Sequence, residues 1–152
     1  MEAVKVSHVH KKGKLSLFDI LKQVRANQNF SKAGGIGIFV GVVRGETFRS
    51  ETVSKLELEA YVEKANEVLA NICAELRNRT GIIDVQIHHL IGEFDVGEDL
   101  VYVVVAGAHR HEMFSTLEEA VERYKKEAPI FKKEYIFTEN GTTRSFWVSE
   151  RE

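Results

Sequence analysis

Apolar residues recur along the chain with two periods, and the switches between them mark out the elements. Val4, Val6 and Val9 alternate with other residues, which predicts a strand within 1–10. Leu17, Ile20, Leu21 and Val24 then fall at helical spacing behind Ser16 and Asp19, a pair that resembles a capping box. Residues 27–33 read as loop. The apolar run 34–43 is a strand punctuated by Gly34, Gly35, Gly37 and Gly41, whose missing side chains suit either tight packing or a ligand's approach. Leu56, Leu58 and Ala60 alternate with Lys55, Glu57, Glu59 and Tyr61 as a half-exposed strand. Ala65, Val68, Leu69, Ile72, Cys73 and Leu76 return to the helical period, with Gly81 as a candidate terminator. Ile83, Val85 and Ile87 alternate into His88 and His89; residues 93–99 form an acidic loop; 100–106 is continuous enough for a buried central strand.

The most informative stretch follows. Met113, Leu117, Ala120, Val121 and Tyr124 make one apolar helical stripe, which the only proline, Pro129, must end. Beyond it Phe131, Tyr135 and Phe137 alternate with Ile130, Lys132, Glu134 and Ile136. Asn140-Gly141 matches a two-residue hairpin turn, with the returning strand over 143–148. With Leu117 as zero, Lys125 lies about 80° round the helix and Lys126 about 180°. Lys125 therefore borders the stripe beside Phe114, and Lys126 faces solvent. Strand alternation puts Lys132 with Glu134 and Lys133 with the aromatics. The order of strands and helices lacks strict βαβ alternation, so the fold class is α+β, ending in a β-hairpin.

Composition narrows the function. The 152 residues fit one domain, and 43% hydrophobic with 29% charged residues describes a soluble globular chain. A net charge of −2 argues against general nucleic-acid binding. No apolar run approaches a membrane span and no signal-peptide core opens the chain, so the expected location is cytoplasmic. One cysteine, Cys73, excludes an internal disulfide and reads as buried and inert, so any sulfur chemistry needs sulfur from another molecule.

Arg44 ends a strand beside the polar segment 45–52, which suits an anion and a loop mobile without ligand. His109 and Arg110 open the long helix, where unpaired backbone N–H groups favour negative charge. His8 and His10 would share a strand face, as a metal pair or simply exposed near the terminus; His88 and His89 would point to opposite faces. The residues alone leave open a non-catalytic module binding a phosphorylated metabolite. They also leave open a metal-dependent hydrolase built on His109 and His111 with His8 and His10.

Five blocks in register resemble the signature of the molybdopterin synthase large (catalytic) subunit family, the MoaE-like proteins. They are Phe39-Val40-Gly41-Val42-Val43-Arg44, Leu58-Glu59-Ala60-Tyr61, Ile91-Gly92 followed by Val96-Gly97-Glu98, Ala108-His109-Arg110, and the run from Lys125 through Ala128-Pro129-Ile130-Phe131-Lys132-Lys133-Glu134. The resemblance implies a single α/β-hammerhead-type domain over 1–152. It also implies a homodimer, joined by two small subunits into a heterotetramer. The implied substrate is a cyclic pyranopterin monophosphate (precursor Z), converted to molybdopterin. Two sulfurs would come from a small ubiquitin-like carrier ending in a Gly-Gly thiocarboxylate, with no resident cofactor, metal or nucleic acid. It gives Lys125 and Lys132 catalytic roles. Val42, Val43, Arg44, His109, Arg110, Lys125, Lys132, Lys133 and Glu134 become substrate contacts, with Arg151 reaching across the dimer. Phe131 stands where the family commonly has tryptophan, and the loop after Arg44 lacks the usual Asn-Gly.

Overall fold

The structure, a computed structural model, describes residues 7–141 and 143–148. The early part of the expected first strand and Arg151 lie outside the described residues. The strand that is seen, β1 (Val9–Lys11), is short, and α1 (Leu17–Arg25) follows it. The capping box is formed: Asp19 N–H donates to Ser16 Oγ and Ser16 N–H donates back to Asp19 Oδ2. A single 3-10 turn, Phe30–Lys32, occupies part of the expected loop. Then come β2 (Gly35–Val42), β3 (Val53–Ala60), α2 (Val62–Arg77), β4 (Ile82–Asp95), β5 (Asp99–Gly107), α3 (Arg110–Glu127), β6 (Ile130–Phe137) and β7 (Thr143–Val148). The strands form one seven-stranded, mostly antiparallel sheet in the order β2-β5-β4-β3-β6-β7, with β1 added parallel to β4. The α+β reading holds.

Three local expectations are corrected. The second helix ends at Arg77, capped by Asn78, and Gly81 instead serves the turn into β4. The acidic loop is mostly strand: β4 runs on through Glu93, Phe94 and Asp95, because Leu56 and Lys55 of β3 pair with those residues. The final hairpin closes between Phe137 and Thr143 through a longer turn in which Gly141 N–H donates to Thr138 C=O, so Asn140-Gly141 is no two-residue turn.

β4 is the spine. Its first part, Ile82–His89, pairs with β5 on one side, while its other edge takes β1 at His89–Ile91 and β3 at Gly92–Asp95. The change of partner falls at Gly92, whose φ of 128° an L side chain would resist. The central β5 is buried from Val101 through Gly107, as its unbroken apolar run requires.

The glycines of β2 make room for α3. A side chain at Gly37 would collide with Met113 and Leu117, and one at Gly34 with the carbonyl of Ala108. Of the two readings open for these glycines, close packing accounts for Gly34 and Gly37. The consequence is an α3 seated on β2 and running the same way, from Gly35 beside Met113 towards the Val42 end.

Candidate functional site

Pro129 does what its chemistry dictates: α3 stops at Glu127 and Ala128 turns extended, with ψ 131°. The helical stripe is seated as predicted, with Met113, Ala120 and Tyr124 buried. Lys125 is half-buried and Lys126 exposed, so the register drawn back from the proline is correct. Lys132 and Glu134 share a face of β6 and form an ion pair at 3.9 Å, with only 17% and 15% of their side chains exposed. Lys133 points the other way, 5.5 Å above each of the Tyr135 and Trp147 rings. Both candidate catalytic lysines thus flank one rigid corner, each Cα within about 10 Å of Pro129 by helical and strand rise. Among the described residues, no carboxylate is paired with Lys125. An ammonium so placed is available to an anionic ligand.

The other candidates divide into two groups. Val42 ends β2; Val43 follows it, its N–H donating to Glu98 C=O, and then comes Arg44, exposed. Since β2 and α3 run together, this end of β2 lies towards the Lys125 end of the helix. The segment after Arg44 closes on itself: Glu46 and Thr52 form an antiparallel bridge, Thr47 Oγ1 accepts from Arg49 and Glu51 N–H, and Arg144 ties Glu51 to β7 at 2.7 Å. Instead of an open loop it is a folded turn.

His109 and Arg110 belong to the second group. They sit exposed at the opposite end of α3, with His109 as N-cap, about 24 Å from Lys125 at ~1.5 Å of rise per residue. One copy of the chain cannot bring this pair to its own Lys125. The sequence already held the signal, since both ends lie on one unbroken helical period.

The histidines expected near the terminus are neither exposed nor near His109 and His111. His8 is buried and His10 half-buried, both against His88, while His89 faces the other way onto Tyr124. Among the described residues no group of three or more His, Cys, Asp or Glu is arranged to hold a metal ion. The hydrolase reading loses its ligand set.

A groove of about 550 Å³ also escaped the sequence reading. Lys11 and Lys12 form one wall, residues 57–60 the other, and residues 91–93 the floor. It lies one strand away from Lys132, which pairs with Leu58. Two of the five signature blocks, at Leu58-Glu59-Ala60 and Ile91-Gly92, line it.

A family model described as MoaE protein matches residues 10–127. The chain belongs to the MoaE family. Among curated relatives, the molybdopterin synthase catalytic subunit of Pyrococcus abyssi is 41% identical over 118 residues, covering 78% of this chain and 76% of that protein. A probable molybdopterin synthase of Haloferax volcanii is 36% identical over 138 residues; these cover 90% of this chain but 51% of that protein, so this MoaE chain spans about half its length. Among solved structures, molybdopterin synthase from Staphylococcus aureus superposes with a TM-score of 0.77 at 28% identity, over 96% of this chain and 98% of that one. The α+β architecture of this MoaE chain is therefore the one seen in that crystal structure. No described helix is long and apolar enough to cross a membrane.

Cys73 of this MoaE chain is fully buried on α2, and burial pushes its thiol up to about 11. A thiol held protonated in the core is neither nucleophile nor sulfur donor at neutral pH. Cys73→Ser is expected to retain most of the turnover, while burying a hydroxyl costs roughly 1–3 kcal/mol of stability. Denaturant melts and product assays check both; a folded but inactive Cys73→Ser protein would place the sulfur chemistry inside this chain.

Proposed function

We propose that this chain is the catalytic subunit of molybdopterin synthase, a sulfurtransferase that converts cyclic pyranopterin monophosphate to molybdopterin. The observation that carries the reading is the Pro129 corner. It places a half-buried Lys125 four residues before Pro129 and a Lys132, held by Glu134, three residues after it, in a chain of the MoaE family. The substrate's phosphate and the donor's thiocarboxylate are both anions, and a corner with two fixed ammonium groups suits their assembly. Sulfur attack and opening of the cyclic phosphate build negative charge on oxygen, which a fixed cation stabilises. Glu134 orients Lys132 rather than abstracting a proton, since it is already its ion-pair partner. The pyranopterin is substrate, and the reading needs no resident cofactor.

The sulfur donor is a small ubiquitin-like subunit with a C-terminal Gly-Gly thiocarboxylate. The buried Cys73 supports an external donor. The working unit is a homodimer within a heterotetramer, in which His109 and Arg110 of one copy complete the lysine site of the other. The length of α3 supports this, because it holds the pair about 24 Å from Lys125 of the same chain.

The direct test mixes this protein with a thiocarboxylated carrier and precursor Z and measures the dithiolene product. Dithiolene formation that depends on both additions is expected. Tight binding of precursor Z without any product would favour a binding module instead.

A further inference from the structure

The three histidines gathered at β1 have no part in the proposed chemistry, yet their hydrogen bonds form a directed chain. Gln86 Nε2 donates to Asp84 Oδ2 at 3.2 Å, which turns the Gln86 amide oxygen towards His88 Nε2 at 2.8 Å. An amide oxygen only accepts, so His88 carries its proton on Nε2 and offers Nδ1 as an acceptor. His10 Nε2 lies 3.0 Å from that Nδ1 and must donate. His8 donates from Nδ1 to the carbonyl of Ile87 at 2.9 Å, and its ring stacks on His88 with centroids 5.6 Å apart. The trio therefore fits together when neutral, anchored at its inner end by the Asp84–Arg77 ion pair.

A first proton on the half-buried His10 leaves this pattern intact. A second one does not. Protonated His88 would point an Nδ1–H at the Nε2–H of His10, and a charged His8 would stack on its neighbour inside the core. The surroundings offer little relief: the Ser7 carbonyl favours the charged forms of His10 and His88, but by less than burial and the neighbouring rings disfavour them. From α2 the charged group acting on the trio is Arg77, itself a cation, and nearby Cys73 stays a neutral thiol. Of the carboxylates of β4, Asp84 is the one tied to the trio, through Gln86, and Arg77 already holds it. From β5 the cross-strand neighbour of His88 is Tyr102, a neutral phenol donating to Asp99. No charged side chain of α1 acts on the three rings.

We propose that β1 is a proton-sensitive latch: it stays paired with β4 while the trio is neutral, and undocks locally when the cluster takes up its second proton. The latch stands independently of the proposed enzyme function. All three rings are depressed below the ordinary imidazole range, chiefly by burial, with His88 lowered to about 3. The sign follows from proton counting. Below a pH of about 6.5 the undocked strand binds more protons than the docked one, so docking is fully favoured above that pH and weakens as pH falls towards 3. Each extra proton changes the docking equilibrium about tenfold per pH unit, so two extra protons give up to ~100-fold. Undocking removes the Lys11–Lys12 wall of the groove and the Lys12–Glu98 ion pair that pins the β4–β5 turn.

Amide hydrogen exchange on the intact protein at pH 7 and pH 5, corrected for intrinsic rates, reads the latch directly. The reporters are His89 N–H, which bonds to His8 C=O, and Lys12 N–H, which bonds to Ile91 C=O. Their protection is expected to fall by roughly 10- to 100-fold per pH unit while the amides of central β5 hold theirs. A His8→Asn, His88→Gln variant keeps the donor and acceptor positions without titrating, and should lose most of this dependence. Should that variant not fold, ring titration by NMR in the unaltered protein decides: protonation of His88 must coincide with loss of β1 protection. Protection unchanged at pH 5, an equal fall in β5, or a charged His88 beneath a protected β1 would each overturn the latch.

Discussion

Lys125→Arg is expected to leave the protein folded and to lower molybdopterin formation by roughly 10²-fold or more, the scale of a lost acid–base group. The change keeps the positive charge but replaces a compact amine with a planar guanidinium that does not give up its proton. Lys125→Ala and Lys132→Ala should be at least as damaging. Lys126→Ala is the built-in control, because it alters an exposed charge one residue away on the far side of the helix. It should stay within about twofold of the unaltered rate. Steady-state assays with matched thermal melts make the comparison. A Lys125→Arg protein working at the normal rate would reduce that lysine to electrostatic positioning, and a dead Lys126→Ala protein would move the working ammonium to the exposed face of the helix.

The second large effect concerns the two ends of α3. Lys125→Ala and Arg110→Ala homodimers should each be nearly inactive. Mixing the two chains by refolding or co-expression should bring activity back. In a mixed dimer one site carries both defects and the other carries none, so about a quarter of full activity returns for a two-fold symmetric pair. Mixtures no better than their parents would show that His109 and Arg110 serve no lysine site across a dimer. Their exposed position at the N-terminus of α3 would then need another explanation.

Much of this site was legible in the sequence because its logic is local. Pro129 ends a helix for reasons held within four residues, and helical and strand periods then sort Lys125 from Lys126 and Lys132 from Lys133. What escaped was set by partners distant in the chain. Glu93 and Asp95 look like loop residues until β3 pairs with them, and Asn140-Gly141 looks like a tight turn until the register of Phe137 with Thr143 lengthens it. The burial of His8 and His10 depends on His88 and Asn66, more than fifty positions away. The gap between His109 and Lys125 is different in kind: it follows from the length of a helix that is itself legible in the sequence.

The shared strand β4 bears on how this protein comes apart. It is hydrogen-bonded to β5, β1 and β3 in turn, so both halves of the sheet are built on the same fourteen residues. Neither half can melt while the other keeps its full complement of backbone bonds. Apart from the short β1, denaturation should therefore be a single cooperative event, with fluorescence from Trp147 in the hairpin and circular dichroism from the helices changing together. The same sharing makes folding wait on distant partners: β5 must return to β2, and β6 must reach back to β3, before either pairing is secured. A chain wired this way collapses and orders late, at the slow end for its length. It also offers no seam at which it could be cut into two self-sufficient pieces.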